Sequence, residues 1–503
     1  MSALGMRPSF GSMPGSEPLR FLRRLFQARV FFPLCRIAIS LFLLPLDNAI
    51  FLVVVVLGRL SSGSVRRRQD VLEDVRFYPK TVLVTGVDTP AGLNVARSWY
   101  HEGHRVVGAD VGVSRLASGP SKSRSLAAYY CIPKPQYVSR LLDIIQREKV
   151  DIWVPCSSGT SVLDDALAKQ AIESRTRCKC ITLDPEISSE WARPESFVQY
   201  LVGKDLPVVE SHQVHSRDSI HRILHRSPTK VYHMHQGPSI VSDPRVIVLP
   251  KRTLSLTYSE VSEIQISQDT PWLLQQHARM GEFLAALLVV RGQLSAVKIC
   301  PANRASDWGD SPLHRGLAMA IHNLMERFAS RAGPQMTGHF CVRLMVDEEL
   351  EVNSVRYIVH IAGCTQGATA ASHLLQDSPP AALVAGYLAI LSSENGGMPK
   401  ASLSPSSHAR PRSLLYRRLS RPRLYQLVRR YEIQKTLPSM MSLAAQRVDY
   451  VIDEAIKLAF CWENWRFSLS DPFPWWWHAH IYQPLRELDL IMNSRSTPFM
   501  EKS

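Results

Sequence analysis

The sequence predicts an α/β domain followed by an α+β domain, with an apolar helix in front of them and an aromatic-rich helical tail behind them. Residues 81–85 are an apolar, β-branched run that leads into a turn with Gly86 and Gly92, and the apolar run 105–109 ends beside Asp110. A strand, a glycine turn, a helix and a second strand open a nucleotide-binding α/β fold. The two glycines also fit a structural role alone, because a turn without side chains lets a helix pack close to a sheet.

The length and composition fit two globular domains with apolar cores. The chain has 503 residues, of which 45% are hydrophobic and 20% are charged, and this balance excludes disorder as the main state of the protein. Nine cysteines are an odd number, with neither a CxxC pair nor a zinc-ligand spacing. Reduced thiols in a protein that faces the cytosol fit this pattern best.

The net charge of +15 is concentrated in two flanks. Residues 1–70 hold ten arginines and residues 400–435 hold ten lysines or arginines, so the globular domains are close to neutral. This distribution argues against nucleic acid as a partner and predicts membrane lipids with anionic headgroups. For residues 400–435, solvated linker charge is the alternative.

Residues 37–58 form the predicted membrane segment, after a basic N-terminal tail of residues 1–36. Fifteen of its residues are Leu, Ile, Val or Phe, and Asp47 is its only ionisable residue. Insertion is favoured, although Asp47 opposes it by about 3 kcal/mol. Arginines on both sides leave the orientation open, and Pro45, Asp47 and Asn48 would also suit a re-entrant hairpin. We therefore predict a single-pass or hairpin anchor, with the globular domains in the cytosol.

The first domain covers residues 79–205 and follows a linker at residues 59–78. Short apolar runs, separated by helical patterns, predict strands at 81–85, 105–109, 152–155 and 180–183. Strands that alternate with helices predict a parallel sheet.

The second domain covers residues 206–395 and is richer in strands. Apolar runs predict strands at 245–249, 285–290, 340–346 and 356–361, and a helix at 317–331. Strands with few intervening helices predict an α+β domain. A linker at residues 396–420 separates it from the basic tail at residues 421–503.

The tail is unusually aromatic. Half of the ten tryptophans lie between residues 462 and 477, including the run Trp475, Trp476 and Trp477, and an amphipathic segment at 448–459 precedes them. Indole rings favour the headgroup level of a membrane, which predicts that the tail contacts lipid. Docking of the tail onto the rest of the protein is an equally good alternative.

Several separated segments resemble one known family. Residues 80–97, 137–156, 272–276 and 289–292, in this order and spacing, resemble the membrane-anchored ATP-grasp ligases of fungal secondary-metabolite pathways. The resemblance implies that residues 79–205 are a Rossmann-like pre-ATP-grasp domain and that residues 206–395 are an ATP-grasp-like domain. It also implies an ancestral ATP-dependent ligation of a carboxylate to an amine through an acyl phosphate, on an amino-acid or peptide-like substrate.

The resemblance assigns four residues to ATP binding. Gln275 and Gln276 belong to the strand that resembles the hinge beside the adenine, and Glu282 lies where the family has an acidic residue suited to the ribose. Lys230 starts the strand expected to carry a phosphate-binding lysine.

The positions that resemble the catalytic motifs have changed their chemistry. Met234 stands at a lysine position, Arg343 at a metal-binding Asp position, and the family's Glu-x-Asn-x-Arg pattern becomes His360, Ala362 and Cys364. Arginine inverts the charge of a Mg²⁺ ligand, and alanine cannot coordinate a metal. We therefore predict no metal site, doubtful use of Mg²⁺, and a ligase activity that is weakened or lost.

Two other functional classes remain open. A non-catalytic membrane scaffold would keep the fold without turnover. An NAD(P)-dependent short-chain oxidoreductase would use the turn at Gly86 and Gly92 and the YxxxK pair Tyr200 and Lys204, but Thr89 replaces the central glycine that the pyrophosphate would approach.

Overall fold

In the computed structural model the described residues are 28–61, 63–112, 118–157, 160–227, 230–235, 246–266, 272–278, 280–302, 313–351, 354–375, 380–391 and 464–493. They belong to two compact units. The first unit takes the described residues of 1–66, 114–124 and 412–503, and the second takes those of 67–113 and 125–411. The predicted linker at 396–420 and the predicted amphipathic segment at 448–459 lie outside the described residues.

The helices are α1 (Ala28–Ser61), α2 (Gly63–Glu73), α3 (Pro90–His101), α4 (Tyr137–Glu148), α5 (Val162–Arg175), α6 (Pro185–Trp191), α7 (Pro194–Gly203), α8 (Arg217–Arg226), α9 (Leu254–Glu263), α10 (Arg315–Ala332), α11 (Thr369–Leu374), α12 (Pro380–Leu388), α13 (Phe473–Trp477) and α14 (Gln483–Asn493). A π-helical turn, His478–Tyr482, joins α13 to α14. The strands are β1 (Thr81–Thr85), β2 (Arg105–Val111), β3 (Ala128–Ile132), β4 (Ile152–Pro155), β5 (Lys179–Cys180), β6 (Ser211–Val214), β7 (Tyr232–His235), β8 (Ile247–Leu249), β9 (Trp272–Gln276), β10 (Gly281–Val290), β11 (Gln293–Pro301), β12 (Gly338–Glu351) and β13 (Ser354–Gln366).

The first unit contains the predicted membrane helix. α1 continues through Pro45, Asp47 and Asn48 without a break, so the re-entrant hairpin that these residues suggested is wrong. The apolar part suited to a membrane runs from Phe32 to Val56, with a mean hydropathy of 2.4. This finding supports a membrane anchor by length and composition.

Part of the predicted linker at 59–78 is helical instead. α2 is fixed within the second unit by two arginines, since Arg67 lies 2.7 Å from the carboxylate of Glu102 and the Arg68 guanidinium lies 4.0 Å above the ring of Tyr100. The Ser, Gly and Arg composition suggested a linker because these partners lie 32 to 35 residues further along the chain.

The predicted parallel sheet is present, with the strand order β3-β2-β1-β4-β5. Side chains of β1 alternate between two apolar cores, because Val82 and Val84 face α3 while Leu83 faces α4 and α5. The first three predicted strands are confirmed as β1, β2 and β4. The fourth is shorter and earlier than predicted, since β5 covers only two residues.

The second domain contains two antiparallel sheets. The large sheet has the order β11-β10-β12-β13 and packs one face against α10, through a core that includes Leu287, Phe328 and Leu344. The small sheet has the order β6-β9-β7-β8. The predicted helix at 317–331 is confirmed as α10, and the strands at 285–290, 340–346 and 356–361 are confirmed as parts of β10, β12 and β13.

Candidate functional site

The register of the large sheet brings three predicted site residues onto one face. Glu282 of β10 pairs with Met345 of β12, which pairs with His360 of β13. In the next row on the same face, Arg343 pairs with Gly363. The opposite face of these strands packs against α10. Glu282, Arg343 and His360 therefore share the face that does not contact α10.

Glu282 is the most unusual member of this face. Both of its carboxylate oxygens are buried, and neither has a hydrogen-bond partner among the residues that the structure describes. Burying an unpaired carboxylate is costly, so nearly all buried polar atoms in proteins find donors or acceptors. Two unsatisfied acceptors at this position fit a ligand that brings hydroxyl or amino donors.

The small sheet contributes a second polar face. Trp272 and Leu274 of β9 lie in its apolar core, so Gln275 projects to the other side. Gln275 is 2% exposed, and no described residue donates a hydrogen bond to its Oε1 atom. The side chain of Gln276 lies on the opposite side from Gln275. The backbone N–H of Gln276 donates a hydrogen bond to the backbone carbonyl of Glu210. Of the two predicted hinge glutamines, only Gln275 presents its side chain to this face.

Met234 has a different place from the one its predicted role requires. Together with Tyr232 it is fully buried in the apolar core of the small sheet. His233 and His235, the alternate residues of β7, occupy the face that Gln275 shares. The pKa of His233 falls to about 4 because it is buried and lies beside His277, whose ring is 4.3 Å away. A neutral imidazole thus lies where a strand lysine would project.

Lys230 is paired with a carboxylate. Its ammonium donates a hydrogen bond to Glu210, which also contacts His212 at 2.9 Å. Burial opposes the ionisation of Glu210, but these hydrogen bonds outweigh it and hold the pKa of its carboxyl at about 2. An anionic Glu210 competes with any phosphate for Lys230.

The two faces are joined by the hinge between the sheets. Val209 donates its amide to the carbonyl of Ile361, and Met280 donates to Val346. Val209, Ala278, Met345 and Ala362 form one small apolar contact there. We call the region between the Gln275 face and the Glu282 face the hinge cleft.

The residues at the predicted metal positions do not form a metal site. The guanidinium of Arg343 lies beside Gly363, and burial lowers the pKa of His360 despite the nearby Asp347. Ala362 is part of the apolar hinge contact, and Cys364 packs on the opposite face against the α10 core. Among the described residues, no three His, Cys, Asp or Glu side chains are placed to hold a metal ion. Arg343, His360 and Ala362 offer no carboxylate oxygen, the ligand that Mg²⁺ prefers, at these positions.

Sequence reasoning missed Lys298. This residue of β11 pairs with Ala286, two positions along β10 from Leu284 on the cleft face. It brings a cation to the same face as Arg343. The alternation of apolar and polar residues along 293–301 was the available signal, but the strand partner that fixes its face lies in β10.

A separate cavity of about 300 Å³ lies at the carboxyl ends of β1 and β4, where Thr89, Asp165, His339 and Gln366 line it. Asp165 accepts hydrogen bonds from the Tyr137 hydroxyl at 2.8 Å and from Thr160 at 3.1 Å. Burial raises its pKa to about 6, against the effect of these bonds. The cavity thus contains a carboxyl group that titrates near neutral pH.

The glycines of the turn after β1 allow backbone segments to approach each other closely. A Cβ atom at Gly86 would lie 2.3 Å from the carbonyl oxygen of Cys156, and one at Gly92 would lie 2.1 Å from the Gly86 oxygen. Asp110 accepts the amide of Asp88 at 3.1 Å. The glycines of the turn are therefore explained by the close approach of the backbone segments around them.

The YxxxK pair also lies away from this turn. Tyr200 packs on Trp191 beside the α10 core, with ring centroids 5.2 Å apart, and the ammonium of Lys204 lies 5.8 Å from the Tyr200 ring. Neither residue lines the cavity beside the turn. These positions give no support to the oxidoreductase alternative.

Comparison with known proteins finds similarity in three-dimensional structure and none in sequence families. No protein-family model matches the chain, and no curated protein matches its sequence. The biotin carboxylase subunit of pyruvate carboxylase shares 13% identity over 58% of this chain and 64% of its own, with a TM-score of 0.40. This chain therefore spans less than two thirds of that structure.

Two further solved structures overlap to a similar degree. The ADP complex of N5-carboxyaminoimidazole ribonucleotide synthetase shares 10% identity over 57% of this chain and 71% of its own, with a TM-score of 0.38. The L-amino acid ligase from Bacillus licheniformis shares 12% identity over 61% of this chain and 75% of its own, with a TM-score of 0.38. Overlap at this level leaves the chemistry of the site to be judged from its own residues.

Proposed function

We propose that this chain is an ATP-grasp-like protein, held at a membrane, whose hinge cleft binds an adenine nucleotide without Mg²⁺ and without efficient ligation. Its ancestral reaction is the ATP-dependent joining of a carboxylate to an amine, on an amino-acid or peptide-like substrate of secondary metabolism. In this proposal the architecture is retained and the phosphoryl-transfer chemistry is weakened or lost. The present role is that of a nucleotide-binding membrane scaffold.

The observation that carries the proposal is the buried, unpaired carboxylate of Glu282. A ribose offers two neighbouring hydroxyl donors, which could satisfy both of its oxygens. Gln275 Oε1, also buried and without a partner among the described residues, adds an acceptor on the small sheet. Acceptors of this kind recognise the nucleoside, whose binding does not require a metal ion.

The cations on the cleft face support binding without Mg²⁺. ATP would supply a transferable phosphoryl group, and the transfer depends on charge placed around the reacting oxygens. Arg343 and Lys298 bring fixed positive charge to the face on which the family would have metal-binding carboxylates. Such cations can neutralise a bound phosphate. They cannot bridge its oxygens as a divalent ion does, so turnover should be slow.

The proposal is tested by calorimetric titration of the full-length chain in detergent micelles with ATP, with and without Mg²⁺. We expect binding that is independent of Mg²⁺ and is weakened about tenfold to a hundredfold by E282Q, because a hydrogen bond to a charged acceptor contributes about 1.5 to 3 kcal/mol. The matched control is E263Q at an exposed position of α9. Equal affinities of E282Q and the control would contradict the assignment of Glu282.

A coupled assay for ADP tests the loss of ligation. We expect no ADP release above background when amino acids, ATP and Mg²⁺ are mixed with the protein. Steady Mg²⁺-dependent release that disappears in R343A or H360A would show that these residues perform catalysis, and the proposal of a weakened ligase would be wrong.

A further inference from the structure

α1 has two unlike sides. One side carries the polar residues Arg36, Ser40, Asp47 and Asn48, which recur at helical spacing along the apolar stretch Phe32–Val56. The other side is apolar and exposed within the described residues: Leu34, Leu41, Phe42, Leu46, Leu52, Val53 and Val56. A helix surrounded by lipid on all sides would leave the first set without partners.

The polar side of α1 is covered by the tail. Asp47 Oδ2 lies 2.8 Å from His480 Nε2, and Ser40 donates a hydrogen bond to the carbonyl of Ala479 at 2.9 Å. The indole of Trp476 donates to Asn48 Oδ1 at 2.8 Å. Both Asp47 and His480 side chains are at most 4% exposed. The tail therefore supplies partners for one carboxylate oxygen of Asp47, for the Ser40 hydroxyl and for the Asn48 amide oxygen, which are groups that oppose insertion of α1 into lipid.

The pairing continues along both helices in antiparallel order. Arg36 forms an ion pair with Glu487 at 2.7 Å, near one end of the contact. Near the other end, the ring of Phe51 lies 6.0 Å from that of Phe473. The tail thus lies along about fifteen residues of α1.

A loop with charged residues, Lys122 and Arg124, lies close to the part of the tail that contacts the middle of α1. Asp471 accepts hydrogen bonds from the Ser123 hydroxyl at 2.5 Å and from the Arg124 amide at 3.1 Å, and the Lys122 ammonium lies 5.0 Å above the Trp477 ring. These residues neighbour Trp476, which bonds to Asn48. If α1 crossed the bilayer, Asn48 would lie near its centre, and lysine and arginine there are strongly disfavoured.

We propose that α1 lies in the plane of the membrane interface instead of crossing the bilayer. Its apolar side enters the lipid, while the tail and the loop 118–124 cover its polar side. At 34 residues, the helix is about 51 Å long, compared with about 30 Å for a hydrocarbon core. Interfacial helices are recognised by this division into one apolar and one polar side.

Lipid is the occupant that the apolar side fits best. The exposed residues form a stripe with few polar interruptions, and the arginines at positions 20, 23, 24 and 29 would meet anionic headgroups at its N-terminal end. The tail adds a shorter apolar stripe, since Leu485, Leu488 and Met492 are all more than 40% exposed. A second copy of the chain is the competing occupant.

The sidedness of the two ends of α1 tests the proposal. An epitope is placed before residue 1 in the full-length chain, and sealed membrane vesicles are treated with protease. We expect the epitope and the globular units to be digested together without detergent, because both ends of α1 lie on one side. If the epitope were protected and the globular units digested, or the reverse, α1 would span the bilayer and the proposal would be wrong.

A matched variant makes the assay decisive. S40L/D47L/N48L turns the polar side of α1 apolar, so this helix should cross the bilayer and place the epitope and the globular units on opposite sides. If the wild type showed the same protection of one end as this variant, α1 would already span the bilayer and the proposal would be wrong. A wild-type chain that leaves the membrane and forms dimers in solution would also overturn the proposal, because a second copy would then cover the apolar side.

A disulfide cross-link tests the contact on which the proposal rests. In membranes, S40C/A479C should form a disulfide that joins the two fragments made by cleavage at an engineered protease site near residue 405. F42C/A479C is the control, since Phe42 is 80% exposed on the apolar side, and it should not cross-link. Equal cross-linking of the two pairs, or none in either, would overturn the proposal.

Discussion

Three side chains on one face of the large sheet decide what the hinge cleft can bind. Glu282 offers two unpaired acceptors, Arg343 offers a fixed cation, and His360 offers a largely neutral imidazole. The same register would hold a metal ion if the second and third were carboxylates, because Mg²⁺ prefers oxygen ligands from neighbouring positions.

We expect R343D/H360E to restore a response to Mg²⁺, because the two substitutions return carboxylate oxygens to this face. ATP affinity of the variant should rise about tenfold or more when Mg²⁺ is added, while the wild type should not respond. Calorimetric titration measures both. R327D at an exposed position of α10 is the control for the change in charge. Absence of any Mg²⁺ response in a folded double variant would show that the face is too far from the phosphates.

Asp165 predicts a dependence of stability on pH. Burial raises its folded pKa to about 6, above the usual value of 3.8, so its protonated form favours the folded state and this contribution is lost as the pH rises from 4 through 6. D165N removes the titration. We expect the variant to gain about 2 to 3 kcal/mol of unfolding free energy relative to wild type between pH 4 and pH 7.

Denaturant unfolding at several pH values measures this difference. D143N is the control, because Asp143 on α4 is 58% exposed and should leave the pH profile unchanged. A constant difference between D165N and wild type from pH 4 to pH 7 would mean that Asp165 is ionised normally in the folded protein.

At the scale of elements, the pair of Asp47 and His480 joins two helices that are distant in sequence. Removing one partner of a buried hydrogen bond leaves the other group unsatisfied at a cost of about 1 to 3 kcal/mol, whereas replacing both partners by apolar groups can be nearly neutral. H480L should therefore detach the tail from α1, and D47L/H480L should restore the contact.

The rate at which a protease cuts residues 464–493 reports this detachment, since cleavage follows the population of the open form when closing is fast. We expect about tenfold to a hundredfold faster cutting in H480L and nearly wild-type cutting in the double variant. H225L, at an exposed position of α8, is the control. Fast cutting in the double variant as well would show that packing of His480, not its pairing, holds the tail.

At the scale of the whole molecule, α1 is the element expected to keep the protein at membranes. The full-length chain should sediment with membranes and stay there at high salt, because burial of apolar surface is not screened by ions. A chain that starts at residue 76 should move to the supernatant. Removal of residues 400–435 is the control: it should change binding to anionic vesicles only at low salt. Full-length protein in the high-salt supernatant would contradict the assignment of α1.

The sequence by itself determined the local elements. β1 and β4 begin and end where their apolar runs do, and α10 extends the predicted helix by two residues at its N-terminal end and one at its C-terminal end. The resemblance to a known family assigned Glu282, Arg343 and His360 to one predicted site, and the register of β10, β12 and β13 puts them on one face of the large sheet. Periodicity and turn chemistry act between near neighbours, so they can be read without knowing the fold.

Only the tertiary structure decided which side each residue faces and what it meets there. The resemblance assigned Met234 and Gln276 to positions of the nucleotide site, but their side chains face away from the hinge cleft. A shift of one residue moves a side chain to the other side of a strand. His480 lies 433 residues from Asp47, and no local pattern links them. The polar residues of α1 looked like a cost of membrane insertion, and the fold turns them into contacts because it brings the tail to their side.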